Sequence, residues 1–436
     1  MKTTSDAIII GAGVIGAATA FELCKRDYQT LNIDKLPAAG YGPTSSSCSI
    51  VRAHYSSWDG VAMAHEGFSY WRDWANYLEI DTNEREIAKY MQCGTVLLKS
   101  KTGHHQKVLE HFRNLGVDHE EWDTDTLKSR VPYYDVHEFW PPSRPEGTDF
   151  WRTPDEELEG AIYTSGSGYV NDPQRATQDL QVAAEAKGGR FQFDARIVEI
   201  RRSGGRVQGV TLDSGEEIDA PVVVNVAGPH SFVINRMAGV EETMNIKTRA
   251  LRHEVHIVPA PPGVDYEHEG FHTSDGDQAI YFRPEAGNNI LVGSEDPPCD
   301  PQVWLDEPDV FDRSVTKAQY EAQVYRLARR IPGLQVPSEP RGLADLYDVA
   351  DDWIPLYDRS DLGGFYMAVG TSGNQFKNAP VVGHLMAELI DACEKGHDHD
   401  ADPVQVKVPY TGVVLDAGFY SRNREINPNS SFSVNG

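Results

Sequence analysis

The sequence predicts an α/β protein, α+β over its whole length, and three observations carry that expectation. The run Ala7–Ile10 is apolar and mostly β-branched, as in a strand buried on both faces. Gly11, Gly13 and Gly16 follow at once in a G-x-G-x-x-G pattern, and a helix is read over 17–26. Thr30–Ile33 forms a second apolar strand with Asp34 at its end, eighteen residues past Gly16. Strand, glycines, helix, strand and acid together predict a Rossmann-like unit that binds a dinucleotide.

Each of these residue types has a physical task. Gly11 allows the tight turn, Gly13 lets backbone approach a diphosphate, and Gly16 lets helix and strand pack closely. The helix N-terminus, with Val14 and Ile15, offers unpaired N–H groups to phosphate oxygens. Asp34 is placed to accept hydrogen bonds from ribose hydroxyls, which argues against NADP, and Lys35 adjoins it. The motif alone leaves FAD and NAD open.

Composition narrows the class. The 436 residues suffice for two domains or one interleaved unit, and 40% hydrophobic with 24% charged residues is ordinary for a globular enzyme. No apolar run approaches the ~20 residues of a membrane span, and the first strand starts where a signal peptide would lie. A soluble, cytoplasmic protein is expected. The formal charge of −26 opposes nucleic acid and anionic membranes and reads as solubility or salt adaptation. Five cysteines without C-x-x-C suggest free thiols in a reducing compartment and no zinc site.

The chain then runs as follows. Residues 36–60 form a long polar loop with five serines between Ser45 and Ser56. Arg52, between Val51 and Ala53, reads as an anion clamp or as a surface arginine beside a loop. A helix is expected over 61–78, a strand over 93–99, a helix over 106–114 and a long loop over 138–157. Asp172 and Pro173 open a helix that runs to Lys187, where Gly188 and Gly189 stop it. Strands follow at 191–200, 206–212 and 221–226, the last ending in a second glycine exit at Ala227 and Gly228. Strand alternation recurs over 247–258 and 279–293, with a loop at 259–276 between them. After a helix at 321–331, a strand at 364–370 runs through Gly373, Asn374, Gln375 and Lys377 into a helix at 380–393. His397 and His399 read as part of a solvated charged loop rather than a metal site. The tail past Gly412 has weak pattern and is expected to wrap the surface.

These pieces, in this order, resemble the D-amino-acid-oxidase-like FAD oxidoreductases, in the branch of sarcosine oxidase and dimethylglycine dehydrogenase. The resemblance rests on IIIGAGVIGAATAFEL, GYGPTSSSCSIVRAHYS, GYVNDPQRATQDL, VVVNVAGPHS, YFRPEAGNNILVGSED, LYDVADDWIPL and GFYMAVGTSGNQFKNAPVVGHLMAELI. It implies a Rossmann-like FAD-binding lobe from 1–90, 160–240 and 341–436. A mixed-sheet substrate lobe from 91–159 and 241–340 is interleaved with it. It implies that Gly11, Gly13, Gly16 and Asp34 hold the ADP half of FAD, with Val198 beside the adenine and Ala227 and Gly228 near the diphosphate. Ser45, Ser46, Ser47 and Ile50 would cover the flavin. Gly370, Gly373, Asn374, Gln375 and Lys377 would lie under its pyrimidine end, where N–H groups stabilise the reduced anion. Arg52 and Lys377 would clamp a substrate carboxylate, and Tyr281 and Tyr347 would line the pocket.

Departures from the family pattern shape the expected activity. The covalent-flavin cysteine falls near Asp345 and the tethering histidine among Ser46 and Ser47, so FAD is expected to be non-covalent. The oxygen-activating lysine falls on Leu291, which favours a dehydrogenase over an oxidase. Glu295 stands where a pocket histidine is usual, and Gln375 replaces a glycine. The resemblance implies oxidation of the C–N bond of a secondary or tertiary amino acid by hydride transfer to the flavin, with Tyr281, Tyr347 or His54 assisting. The acceptor is left open among oxygen, an electron-transfer protein and a quinone. A flavin 2-hydroxyacid dehydrogenase, with His54, His253 or His256 as base, is one alternative. A non-catalytic flavin-fold assembly protein is another.

Overall fold

The computed structural model describes residues 3–83 and 85–435. A six-stranded sheet runs in the order Arg190–Gln192, Thr30–Ile33, Ala7–Ile10, Val222–Asn225, Phe365–Val369, Leu356–Arg359. All neighbours are parallel except the last pair. Strand side chains alternate between faces. Ala7, Ile9, Val222 and Val224 therefore pack in one apolar core with the helices Val14–Cys24, Pro173–Ala186 and Ala379–Glu394. Ile8, Ile10, Val223 and Met367 pack in a second core with the sheet that contains Ile197–Ser203 and Arg206–Leu212. Both faces are covered, which explains why these strands read as unbroken apolar runs.

The second large sheet has nine strands and is mixed. Thr248–Pro259 lies between Asn289–Ser294 and Val303–Leu305 and also pairs with Gly342–Ala350. Ile280–Glu285, His272–Asp275, Thr95–Leu98, Ala161–Thr164 and Glu120–Trp122 extend it. Ala161–Thr164 and Gly342–Ala350 pair here, although both fall in segments assigned from the sequence to the other lobe. Its registers set one residue per strand side by side. Ser274 pairs with Tyr281, Tyr281 with Gly293, Gly293 with Val255, and Val255 with Leu343. This row and the residues two positions along each strand form one face.

Several expected elements are shorter or divided. The helix read over 61–78 is two, Trp58–Arg72 and Trp74–Leu78. The strand read over 191–200 is broken at Asp194, whose φ is +52°. The loop read over 259–276 contains the helix Tyr266–Glu269 and the strand His272–Asp275. His399 is buried, with its ring 3.3 Å from Asp358, and does not sit in a solvated loop. The tail does not only wrap the surface: Ser433, Val434 and Asn435 are buried. Among the described residues no helix is long and apolar enough to cross a membrane.

Candidate active site

A cavity of about 570 Å³ runs from the first glycine turn to the face of the nine-stranded sheet. Its diphosphate end is built by close backbone contact. A Cβ on Gly11 (φ +118°) would lie 2.5 Å from the Val226 carbonyl oxygen, and one on Gly16 would lie 2.4 Å from the Gly11 carbonyl. The helix Val14–Cys24 starts there, and its N-cap residue Gly13 has no side chain to cap it, so Ile15 and Gly16 line the cavity at its first turn. Thr44 Oγ1 takes the N–H of Val14 at 3.2 Å. Asp34 accepts from the backbone N–H of Ala12 (2.7 Å) and Leu36 (2.9 Å), one on each carboxylate oxygen. Further lone pairs remain on both oxygens for a hydroxyl. Lys35 contacts His230 at 2.7 Å and pairs with Asp309, from a segment that lines the cavity. Burial raises the Asp309 carboxyl, but Lys35 and His230 outweigh that and hold it well below the usual carboxylate range.

The far end holds two buried basic side chains. Arg52 follows the strand Ile50–Val51, and Lys377 sits in the turn before the helix Ala379–Glu394. Both lie over the ring of Tyr55, at 4.9 and 4.7 Å from its centroid. Lys377 Nζ donates to the Asn374 carbonyl (2.7 Å), which also accepts from the Tyr55 hydroxyl (2.5 Å). Arg52 donates to the carbonyls of His54 and, at 2.6 Å, Val434. Neither side chain forms an ion pair with a described carboxylate. Burial, and then the guanidinium of Arg52, push the Lys377 amine well below its ordinary value.

The sheet face supplies the remaining wall. Tyr281 and Tyr347 place their hydroxyls 3.4 Å apart, and the Tyr347 ring stacks on His253 at 4.3 Å. His253 Nε2 lies 2.9 Å from Asp296. Glu295 accepts from Ser274 Oγ at 2.6 Å. Burial pushes its carboxyl up to about 7, against the Ser274 hydrogen bond and the charge of Arg52. Ser46 Oγ donates to Asp345 at 2.7 Å.

Of the residues expected from the sequence, Gly11, Gly13, Val14, Ile15, Gly16, Asp34 and Lys35 line this cavity. So do Ser46, Ser47, Ile50, Arg52, Ala227, Gly228, Tyr281, Tyr347, Gly373, Asn374, Gln375 and Lys377. Four do not. Val198 is 47% exposed on the outer sheet, since its neighbour Ile197 takes the inward side of the strand. Ser45 turns its hydroxyl to the Gly42 carbonyl (2.9 Å). Gly370 gives its N–H to Asp348 (2.6 Å), one residue before the wall resumes at Thr371. His54 is buried behind the wall, stacked on His272 at 6.1 Å, and burial and Arg52 keep it neutral. The wall residues Ser274 and His272 were not singled out from the sequence. Their strand, HTSD, is polar throughout and carries no apolar alternation to mark it. Val434 and Asn435 also line the cavity, and no local pattern marks them.

The parallel sheet, its glycine turn and the cavity above it define a dinucleotide-binding α/β protein. The chain belongs to the DAO family of FAD dependent oxidoreductases, whose model matches residues 6–389. Glycine oxidase of Geobacillus kaustophilus (strain HTA426) is 24% identical over 414 residues, covering 90% of this chain and 94% of its own. Peroxisomal sarcosine oxidase of Homo sapiens is 25% identical over 405 residues, covering 89% and 92%. The crystal structure of L-proline dehydrogenase from P. horikoshii shares the fold, with a TM-score of 0.75 at 20% identity over 98% of this chain and 100% of that one. FAD is the family's cofactor, and the close glycine turn and the helix N-terminus behind Gly13 fit its diphosphate.

Proposed function

We propose that this oxidoreductase dehydrogenates a small secondary or tertiary amino acid at its C–N bond. The carrying observation is the Arg52–Lys377 pair, a buried guanidinium and a buried amine that form no ion pair with a described carboxylate, at the end of the cavity that meets the nine-stranded sheet. A buried charge lacking a counter-ion is costly, and a substrate carboxylate supplies that counter-ion. Arg52 and Lys377 orient the carboxylate, and Tyr281 and Tyr347 wall the amine and its alkyl group. The shielded wall limits water beside the reacting carbon. Gly11, Gly13, Val14, Ile15 and Gly16 hold the FAD diphosphate, Asp34 and Lys35 its adenosine side, and Ser46, Ser47, Ile50 and residues 373–377 its ring. FAD, when bound, supplies the hydride acceptor.

Ser46 and Asp345, hydrogen-bonded to each other, stand where relatives place flavin-linking residues, which supports non-covalent attachment. Leu291 is buried in an apolar cluster at the place of an oxygen-activating lysine, which supports an acceptor other than oxygen. Glycine, sarcosine and proline, in the names of the relatives, are all small amino acids. A second reading, a 2-hydroxyacid dehydrogenase, draws on His253, whose pairing with Asp296 suits a base for alcohol oxidation. Anaerobic bleaching of the flavin separates the two. Sarcosine, N,N-dimethylglycine and proline are expected to bleach it, with slow return in air and fast return with an artificial acceptor. Bleaching by 2-hydroxyacids alone overturns the amine reading.

A further inference from the structure

We propose that Val434 and Asn435 form a wall of the substrate pocket and set the length of the acid that it admits. This rests on the reading of Arg52 as a carboxylate clamp. Val434 is 5% exposed and belongs to the apolar cluster of Tyr281, Leu291 and Val255, with Tyr347 at its margin. Its carbonyl accepts from Arg52 Nη2 at 2.6 Å. The same residue therefore contributes to the apolar side of the pocket and orients the guanidinium at its polar end. Asn435 borders the cavity beside Glu295, and its carbonyl accepts the N–H of Ser56 at 3.2 Å.

The segment is fixed in place from behind. Ser430 Oγ donates to the Asp352 carbonyl at 2.6 Å. Arg424 grips the Asp352 carboxylate with two hydrogen bonds, 2.8 and 3.0 Å, the bidentate geometry that holds a guanidinium in one orientation. Asn435 N–H is taken by Ser433 Oγ at 3.2 Å. A tail lying loosely on the surface needs none of these contacts. An aliphatic side chain held this way excludes methylenes from the space it fills, which discriminates ligands by about tenfold or more per added carbon.

The test is calorimetric titration of the FAD-loaded protein with acetate and hexanoate, unreactive probes that share the carboxylate and differ in length. The readout is the ratio of hexanoate to acetate affinity within each variant. Val434→Gly is expected to raise this ratio at least about tenfold, and Val434→Phe to lower it by a similar factor. Deletion of 430–436 is expected to raise it as Val434→Gly does, and the opposite sign for Val434→Phe guards against a variant that merely loosens the tail. An unchanged ratio in all three, with acetate still bound, overturns the wall and leaves the clamp standing. Acetate that binds neither the unaltered protein nor any variant overturns the clamp, and the wall with it.

Discussion

Glu295 is a carboxyl that burial keeps partly protonated near neutrality, at about 7. Arg52, Ser274, Asp275 and Asn435 are the polar groups that act on it. As pH rises through 7 it gains a negative charge near the guanidinium that a ligand carboxylate must reach. Carboxylate affinity is therefore expected to fall by about tenfold between pH 6 and 8.5, and Glu295→Gln to remove most of that fall. Acetate titrations at four or five pH values check this; a glutamine variant with the same profile as the parent removes Glu295 from the site's electrostatics. Linkage gives stability the same direction. The folded pKa is raised, so this group's contribution is full below the ordinary value of 4.5 and is lost as pH rises through about 7.

At the scale of elements, the turn before the helix Ala379–Glu394 depends on one glycine. Gly373 has φ +70°, and a Cβ there would stand 2.4 Å from the Tyr347 ring. Gly373→Ala adds left-handed strain and pushes Tyr347 off its stack with His253. Flavin content and acetate affinity are both expected to drop, the latter by about tenfold or more; a variant with full flavin and unchanged affinity contradicts this. Elements also show where sequence reading stops. The first βαβ unit was legible because its glycines, period and acid are all local. The break at Asp73 was not, because Trp71 and Trp74 stack at 4.4 Å and keep the apolar face continuous across it. The strand His272–Asp275 was hidden by flanking Pro, Gly and acids, and with it two wall residues.

The whole molecule carries a net charge of −26 around a pocket that the proposal assigns to an anion. Long-range repulsion then slows carboxylate entry at low salt, and salt screens it over a Debye length of about 10 Å at 0.1 M. Stopped-flow binding of acetate is expected to accelerate by about two- to fivefold between 10 and 300 mM NaCl; a rate that falls with salt contradicts a repulsive surface. The α/β class was readable from the seven motif blocks, while the sheet that Ala161–Thr164 and Gly342–Ala350 join was not. The placement of the tail was not, because residues 421–435 are polar, without period, and held by distant partners such as Asp352, Asp358 and Asp400. Contacts of that kind link residues far apart in the chain and leave no trace in a local window.

Gly11 and Gly13 border the same cavity as Val434 and Asn435, so synthesis reaches the first pair long before the second. A nascent or nicked product that stops short of position 430 would keep the cradle for a nucleotide. It would lack the surface against which small acids are measured, and would pass for a sound flavoprotein by colour alone.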